Sequence, residues 1–198
     1  MQPLQRVCAN QNYLEVVESY KLLGLIVRSD MRWIDNTSRM CQKGYKRLWM
    51  IRRLKGLGAS VEELKDVYIK QVRSVLELAV PAWHSGLTKK QTAEIERVQR
   101  VACNIILSDS KTGFSEFSYD MSLVVLGLEP LEVRERKLCE TFARKSLKSR
   151  HSVMFSKNSH YYDTRNKESF FTQISRTRRC YNSPLNYLTR ILNGTEPL

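Results

Sequence analysis

Glycine and proline are scarce in this chain, at 8 and 5 residues of 198. That composition excludes collagen-like and low-complexity architectures and leaves room for long uninterrupted helices. Cysteine is sparse as well. Cys8, Cys41, Cys103, Cys139 and Cys180 are odd in number and far apart, and His84, His151 and His160 stand at zinc-ligand spacing from none of them. A zinc finger and a disulfide framework are excluded, and the lone cysteines read as small core residues in a reducing, intracellular compartment, nucleus or cytoplasm. No apolar run is long enough to span a bilayer, and residues 1–12 lack the apolar centre of a signal peptide.

Catalytic groupings are missing too. There is no Gly-x-Ser-x-Gly, and Gly56-Leu57-Gly58 closes a helix instead of opening one after a strand, so it is no dinucleotide fingerprint. Asp30 and Asp35 have no third acid nearby, and Asp109 and Asp120 have no partners. Polymerase and nuclease chemistry needs two or three carboxylates converging on magnesium. The sequence therefore nominates no catalytic residue, metal ligand or cofactor, and the chain reads as no enzyme on its own.

What is present is positive charge on an ordinary globular background. Hydrophobic residues make up 42% and charged residues 27%, enough for a buried core. Thirty-three Lys and Arg oppose 20 Asp and Glu, leaving a formal +13. Such an excess draws polyanions and strengthens their binding through counterion release. The expected partner is nucleic acid, held without regard to sequence, and not a membrane.

The pattern along the chain is mainly α. Residues 13–18 and 20–28 are β-leaning and suggest a short N-terminal hairpin, with Gly24 marking a close backbone approach. From Asp30 onward the period changes to three and four. Trp33, Thr37, Met40, Cys41, Gly44, Leu48, Ile51 and Leu54 fall on one face of a long first helix, ended by Gly56 and Gly58. Ser60 with Glu63 and Thr88 with Gln91 are capping boxes that open a second and a third helix. The second has a seam of Leu64, Tyr68, Val72, Val75 and Leu76 and stops near Pro81. The third turns Ile95, Val98, Ala102, Ile105 and Ile106 inward. A short amphipathic piece over 114–126 ends at Gly127, and a fourth long helix after Pro130 turns Leu131, Leu138, Phe142 and Leu147 inward. Residues 150–198, rich in Ser, Asn, Arg and Tyr, read as a loosely structured basic tail with one short helix near 185–192.

The first helix is the informative one. Arg39, Lys43, Lys46 and Arg53 form a stripe opposite the apolar seam at 100° per residue, and Arg47, Arg52 and Lys55 flank it. Between Asn36 and Val61 there is no acidic residue. The second helix mixes signs through Asp66–Lys70 and Arg73–Glu77, and the third through Glu96–Arg100. Unpaired cations on one helix face suit contact with phosphates. Tyr45 and Trp49 stand beside them and read first as packing residues, with stacking on bases as the alternative.

Beyond these physical readings, the run Tyr20-Lys21-Leu22-Leu23-Gly24-Leu25-Ile26-Val27, followed by Met31-Arg32-Trp33, resembles the primer-grip stretch of non-LTR retrotransposon (LINE-type, jockey-like) reverse transcriptases. The likeness continues in order through Ile51-Arg52-Arg53-Leu54-Lys55, Pro81-Ala82-Trp83-His84 and Ile95-Glu96-Arg97-Val98-Gln99-Arg100. It extends to Leu126-Gly127-Leu128-Glu129-Pro130-Leu131 and Phe142-Ala143-Arg144-Lys145. Glu135 departs from it, standing where the family carries a second arginine.

The resemblance implies a palm remnant with primer-grip strands over 1–29 and a thumb-like helical bundle over 30–107. A post-thumb extension over 108–149 and a basic, partly disordered tail over 150–198 follow. It also implies that the magnesium-binding aspartates of the polymerase belong to a palm upstream of this segment, so the segment acts at most by holding nucleic acid. Leu23 and Gly24 would approach the primer strand, and Arg39, Lys43, Lys46, Arg47, Arg52, Arg53 and Lys55 the duplex phosphates. The alternatives left open are a helical protein-interaction module, whose exposed apolar edge meets the missing palm or another protein, and a relic without function.

Overall fold

The computed structural model describes residues 8–9, 12–13, 16–108, 117–158 and 169–195, the first two pairs by backbone alone. Leu14, Glu15, Asp109 and His160, together with residues 114–116 of the expected amphipathic piece and residues 159–168 and 196–198 of the tail, lie outside the described residues. The architecture is mainly α, with N-terminal β-hairpins ahead of the helices.

Two small hairpins come first. β1 (Cys8–Ala9) pairs with β2 (Asn12–Tyr13), and β3 (Ser19–Leu22) pairs antiparallel with β4 (Leu25–Arg28). The expected strand over 13–18 is thus displaced. The longer hairpin is made from Ser19 and the second run, because Leu23 and Gly24 form its two-residue turn. Both take positive φ, +47° and +91°, as a type I′ turn demands. Leu25 is buried, whereas all four β3 residues are exposed.

The hairpin is fastened to the first helix, α1 (Ile34–Gly56). Arg28 binds Asp30 (3.2 Å) and Asp35 (2.9 Å), and the Asn36 side chain accepts the Ile26 N–H at 3.2 Å. Backbone donation from Arg32 and the Arg28 guanidinium hold the Asp30 carboxyl below its ordinary range. Along α1 the expected seam is buried: Trp33, Thr37, Met40, Cys41, Gly44, Leu48 and Ile51 face inward, and Leu54 packs at its edge.

Ser60 and Glu63 form the expected capping box of α2 (Val61–Val67). The chain then runs through a π-helical segment, Tyr68–Arg73, into α3 (Ser74–Leu76). The helix stops before Pro81, and Pro81 sits in the first turn of α4 (Val80–Trp83). The second capping box, Thr88 with Gln91, opens α5 (Lys89–Leu107), which lies along α1. Gly44 permits that approach, since a Cβ there would stand 2.9 Å from a Val98 methyl. Gln99, fully buried, accepts the Tyr68 hydroxyl at 2.5 Å and donates to Tyr119 and to the Glu129 carbonyl, each at 3.0 Å. A buried amide with four partners, Glu96 at 3.4 Å being the fourth, joins α5, the π segment, the first residue of α6 (Tyr119–Leu126) and the chain that follows it.

α6 ends at Gly127 with φ +60°, and α7 (Leu131–Leu147) follows. Of its expected inner face, Leu131 is buried and Leu138 and Leu147 pack against the core, whereas Phe142 does not. Leu131, Glu135, Cys139, Ala143 and Ser146 are buried, while Phe142 is 42% exposed. Small residues at 139 and 143 permit close packing, and Glu135 meets His84 on the inner side. The expected helix in the tail is α9 (Pro184–Asn193), preceded by a single turn, α8 (Arg178–Tyr181). α9 docks on α7 with Leu188 buried, and the Asn193 amide bonds both the N–H and the C=O of Phe170 (3.0 and 2.9 Å). One hydrophobic core runs from Leu25 to Leu188, so the segments 1–29, 30–107, 108–149 and 150–198 share a core wherever they are described.

Candidate nucleic-acid interface

A helix 23 residues long, with one buried seam and Asp35 in its first turn as its single acidic residue, must present its cations to solvent. The acid-free stretch begins after Asp35, and it carries the stripe. Lys43, Lys46, Arg52 and Arg53 are exposed, and Arg39 is half-buried. Among the described residues none of the five has an ion-pair partner. Trp49 lies in their midst, three residues from Lys46 and Arg52 and four from Arg53, and is 65% exposed. The packing reading of Trp49 is therefore corrected. At that exposure the indole stands in water and not in the core. Tyr45, one turn back, is 38% exposed. Burial pushes its hydroxyl up, and nearby Arg97 of α5 opposes that shift.

Two of the seven cations have other roles. The Lys55 ammonium donates to the carbonyls of Ile105 (2.6 Å), Ile106 (3.3 Å) and Ser108, and to the Ser108 hydroxyl at 2.9 Å. It closes the C-terminal end of α5, whose last carbonyls and dipole favour a cation, and is removed from the proposed phosphate face. Arg47 is half-buried and donates to the Gln71 carbonyl of the π segment. Among the described residues the hairpin tip is not joined to the cations by any hydrogen bond or ion pair. Leu23 is 92% exposed, and a Cβ on Gly24 would meet Leu78, in the turn after α3, at 3.4 Å.

The expected sign-mixing on the other helices divides. Asp66–Lys70 (2.9 Å) and Arg73–Glu77 (3.3 Å) are paired, and Arg134 joins Glu77. Glu96–Arg100 is not. Glu96 accepts the Leu131 N–H at 2.9 Å, capping α7, and bonds the Tyr119 hydroxyl. Arg100 lies over the Tyr119 ring, 4.8 Å from its centre. Glu96 is thus engaged inside the fold, and Arg97, on α5 near Tyr45, adds to the positive surface beside α1. Sequence reasoning missed Arg97 because the opposite charge at position 96 masked it.

Sequence reasoning also missed the pair of His84 and Glu135. His84 Nδ1 stands 2.8 Å from Glu135 Oε2, while Oε1 is buried with no partner among the described residues. Burial pushes the Glu135 carboxyl up against the opposing effect of His84. Cys41, Cys103 and Cys139 are buried and free, with thiols pushed up to about 11, 12 and 12 by burial; Cys180 is free and half-buried.

Asp30 and Asp35 both engage Arg28, an arrangement that does not fit a magnesium site. Among the described residues no group of three or more His, Cys, Asp or Glu is placed to hold a metal ion, and no helix is long and apolar enough to cross a membrane. No family model, curated protein or solved structure matches the chain.

Proposed function

We propose that this chain is a nucleic-acid-binding module that grips a duplex along α1, and that its ancestry is the thumb segment of a non-LTR retrotransposon reverse transcriptase. The observation that carries the binding reading is Trp49, exposed among Lys46, Arg52 and Arg53 with no carboxylate to neutralise them among the described residues. Lys43, Lys46, Arg52 and Arg53 would contact phosphates without reading sequence, and Trp49 would stack on a base or sugar at a strand end. The ancestry rests on the ordered motifs from Tyr20 to Lys145. The chain would supply grip, and a palm with its magnesium would supply chemistry.

The test is equilibrium binding of an RNA–DNA hybrid by the wild type and by Trp49→Ala. Removal of the stacking indole is expected to cost about 1–3 kcal/mol of affinity with stability nearly unchanged, as for other exposed positions. Undiminished affinity in Trp49→Ala would overturn the stacking role.

One observation favours the second reading, a protein-docking module. Val16, Tyr20, Leu22 and Leu23 are all more than half exposed on or beside β3, whose outer edge has no partner strand among the described residues. Leu23 also holds a backbone conformation that leucine seldom adopts. Concentration-dependent self-association without nucleic-acid binding would favour this reading over the first.

A further inference from the structure

A second basic surface lies at the other end of α1. A groove of about 960 Å³ opens between the chain entering α1, the start of α5 and the α8–α9 turn. Four cations line it: Arg32, Lys89, Arg178 and Arg179. They come from three segments far apart in sequence, and no Asp or Glu is among the described residues that line it. Arg32 touches Asp30 at 3.8 Å. Lys89, Arg178 and Arg179 are exposed and have no ion-pair partner among the described residues.

Three further features point to a ligand in the groove. The first is Trp33, buried at 6% exposure, which lines it. Its indole N–H has no acceptor among the described residues and lies against Gly86, where a Cβ would come within 2.7 Å of Nε1. That N–H is not sealed from solvent, so it is open to an acceptor on a ligand in the groove. The second is the pair of helix N-termini that open on the groove, those of α5 and of the ten-residue α9, which begins at Pro184 with no side-chain cap on Ser183. Thr88 already accepts the Gln91 N–H of α5, and the first-turn N–H groups that remain at the two termini favour an anion. The third is the apolar share of the wall: Met31, Ile34, Leu87 and Pro184.

We infer that this groove is a second nucleic-acid site, which holds a short run of single strand. The rim cations and helix N-termini take its phosphates, and the apolar wall takes ribose and base faces. Size selects the single strand, because a duplex whose major groove alone is about 12 Å across does not enter a groove of this volume. Repeated phosphates also suit four cations drawn from three walls better than one isolated phosphate group does. The site goes beyond the duplex grip of α1. Trp33 and Trp49 are sixteen residues apart on one helical path, about 24 Å at about 1.5 Å per residue.

The experiment compares two probes on the full chain: a fluorescein-labelled oligo(dT) of about 12 nucleotides, within the usual single-strand site range, and an RNA–DNA hybrid of the same length. Three triple variants carry the same change in charge. One alters the groove (Lys89→Gln, Arg178→Gln, Arg179→Gln), one alters α1 (Lys46→Gln, Arg52→Gln, Arg53→Gln), and one alters exposed cations elsewhere (Lys145→Gln, Lys148→Gln, Arg150→Gln).

The groove variant is expected to lose about tenfold in oligo(dT) affinity. Its slope of log K against log salt should be shallower by about 2, for three neutralised phosphates at about 0.7 each. Its hybrid affinity should match that of the third variant. Equal loss of oligo(dT) binding in the groove variant and the third variant would reduce the effect to net charge and overturn the site. So would loss in the α1 variant alone, which places the single strand on α1. Displacement of oligo(dT) by a singly phosphorylated peptide at equal concentration would overturn the preference for a polymer. The α1 grip is judged separately, on the hybrid arm.

Discussion

Gly44 and Gly56 lie in the same helix, and alanine at the two positions should shift stability in opposite directions. Glycine inside a helix costs about 0.8–1 kcal/mol relative to alanine, so propensity alone favours both substitutions. At Gly56 nothing lies within 4 Å of the added methyl, and the gain is expected to appear as a few tenths to about 1 kcal/mol, reduced because the residue ends α1. At Gly44 the methyl would stand 2.9 Å from Val98 Cγ1 and 3.3 Å from Leu76 Cδ2, and both side chains are fully buried. Valine on a helix has one strongly preferred rotamer, so Val98 cannot swing aside and α1 must move off α5.

Overpacking of this kind costs about 1–3 kcal/mol. Set against the propensity gain, it makes Gly44→Ala less stable than wild type by up to about 2 kcal/mol. Urea unfolding followed by far-ultraviolet circular dichroism at fixed pH and salt measures both variants, and an unchanged m-value certifies that the comparison is one of stability. Gly44→Ala at or above the stability of Gly56→Ala would refute the packing of α1 on α5 described above.

Three other perturbations bear on residues with assigned roles. Lys55→Met removes the cation that closes α5 and should cost about 1–2 kcal/mol while leaving hybrid affinity nearly unchanged; a large loss of binding with full stability would return Lys55 to the interface. Gln99→Leu orphans the buried Tyr68 hydroxyl and should cost about 2–4 kcal/mol, read by the same unfolding assay, and a neutral result would contradict the network. Glu135 carries a raised carboxyl pKa, so its protonated form is favoured by folding. Its stabilising contribution is complete below the ordinary carboxylate pKa and is lost as pH rises through the raised value. Stability relative to Glu135→Gln, followed from acid to neutral pH, should decline across that window, and a difference that grows with pH would reverse the assignment.

Much of the fold was legible in local chemistry. Ser60 with Glu63 and Thr88 with Gln91 each announce a helix start, because cap and partner lie three residues apart and satisfy each other's backbone donors. The α1 seam was legible through its period, since seven of its eight expected residues are buried and Leu54 packs at the edge. Lys55 could have been placed correctly, as it stands seven residues beyond Leu48, within about 20° of it on the helix. Counting its charge instead of its angle put it on the phosphate face.

Other features depend on partners remote in sequence. Glu135 turns inward toward His84, which lies 51 residues away in the chain and within hydrogen-bond reach in space. Glu96 looks like half of an i, i+4 pair with Arg100, yet the unsatisfied N–H of Leu131 claims it. The groove by Trp33 is assembled from residues near 32, 88 and 178, a juxtaposition that no periodicity announces.

The central claim, a duplex gripped by α1, is tested most directly by the salt dependence of RNA–DNA hybrid binding. The wild type is compared with a variant in which Lys43, Lys46, Arg52 and Arg53 are glutamine. With four phosphates no longer neutralised, the slope of log K against log salt should become shallower by about 3–4, and the unfolding midpoint should stay unchanged within error. A variant that keeps the wild-type slope and affinity, while folded, would contradict the claim and leave the cations of α1 without a role in binding.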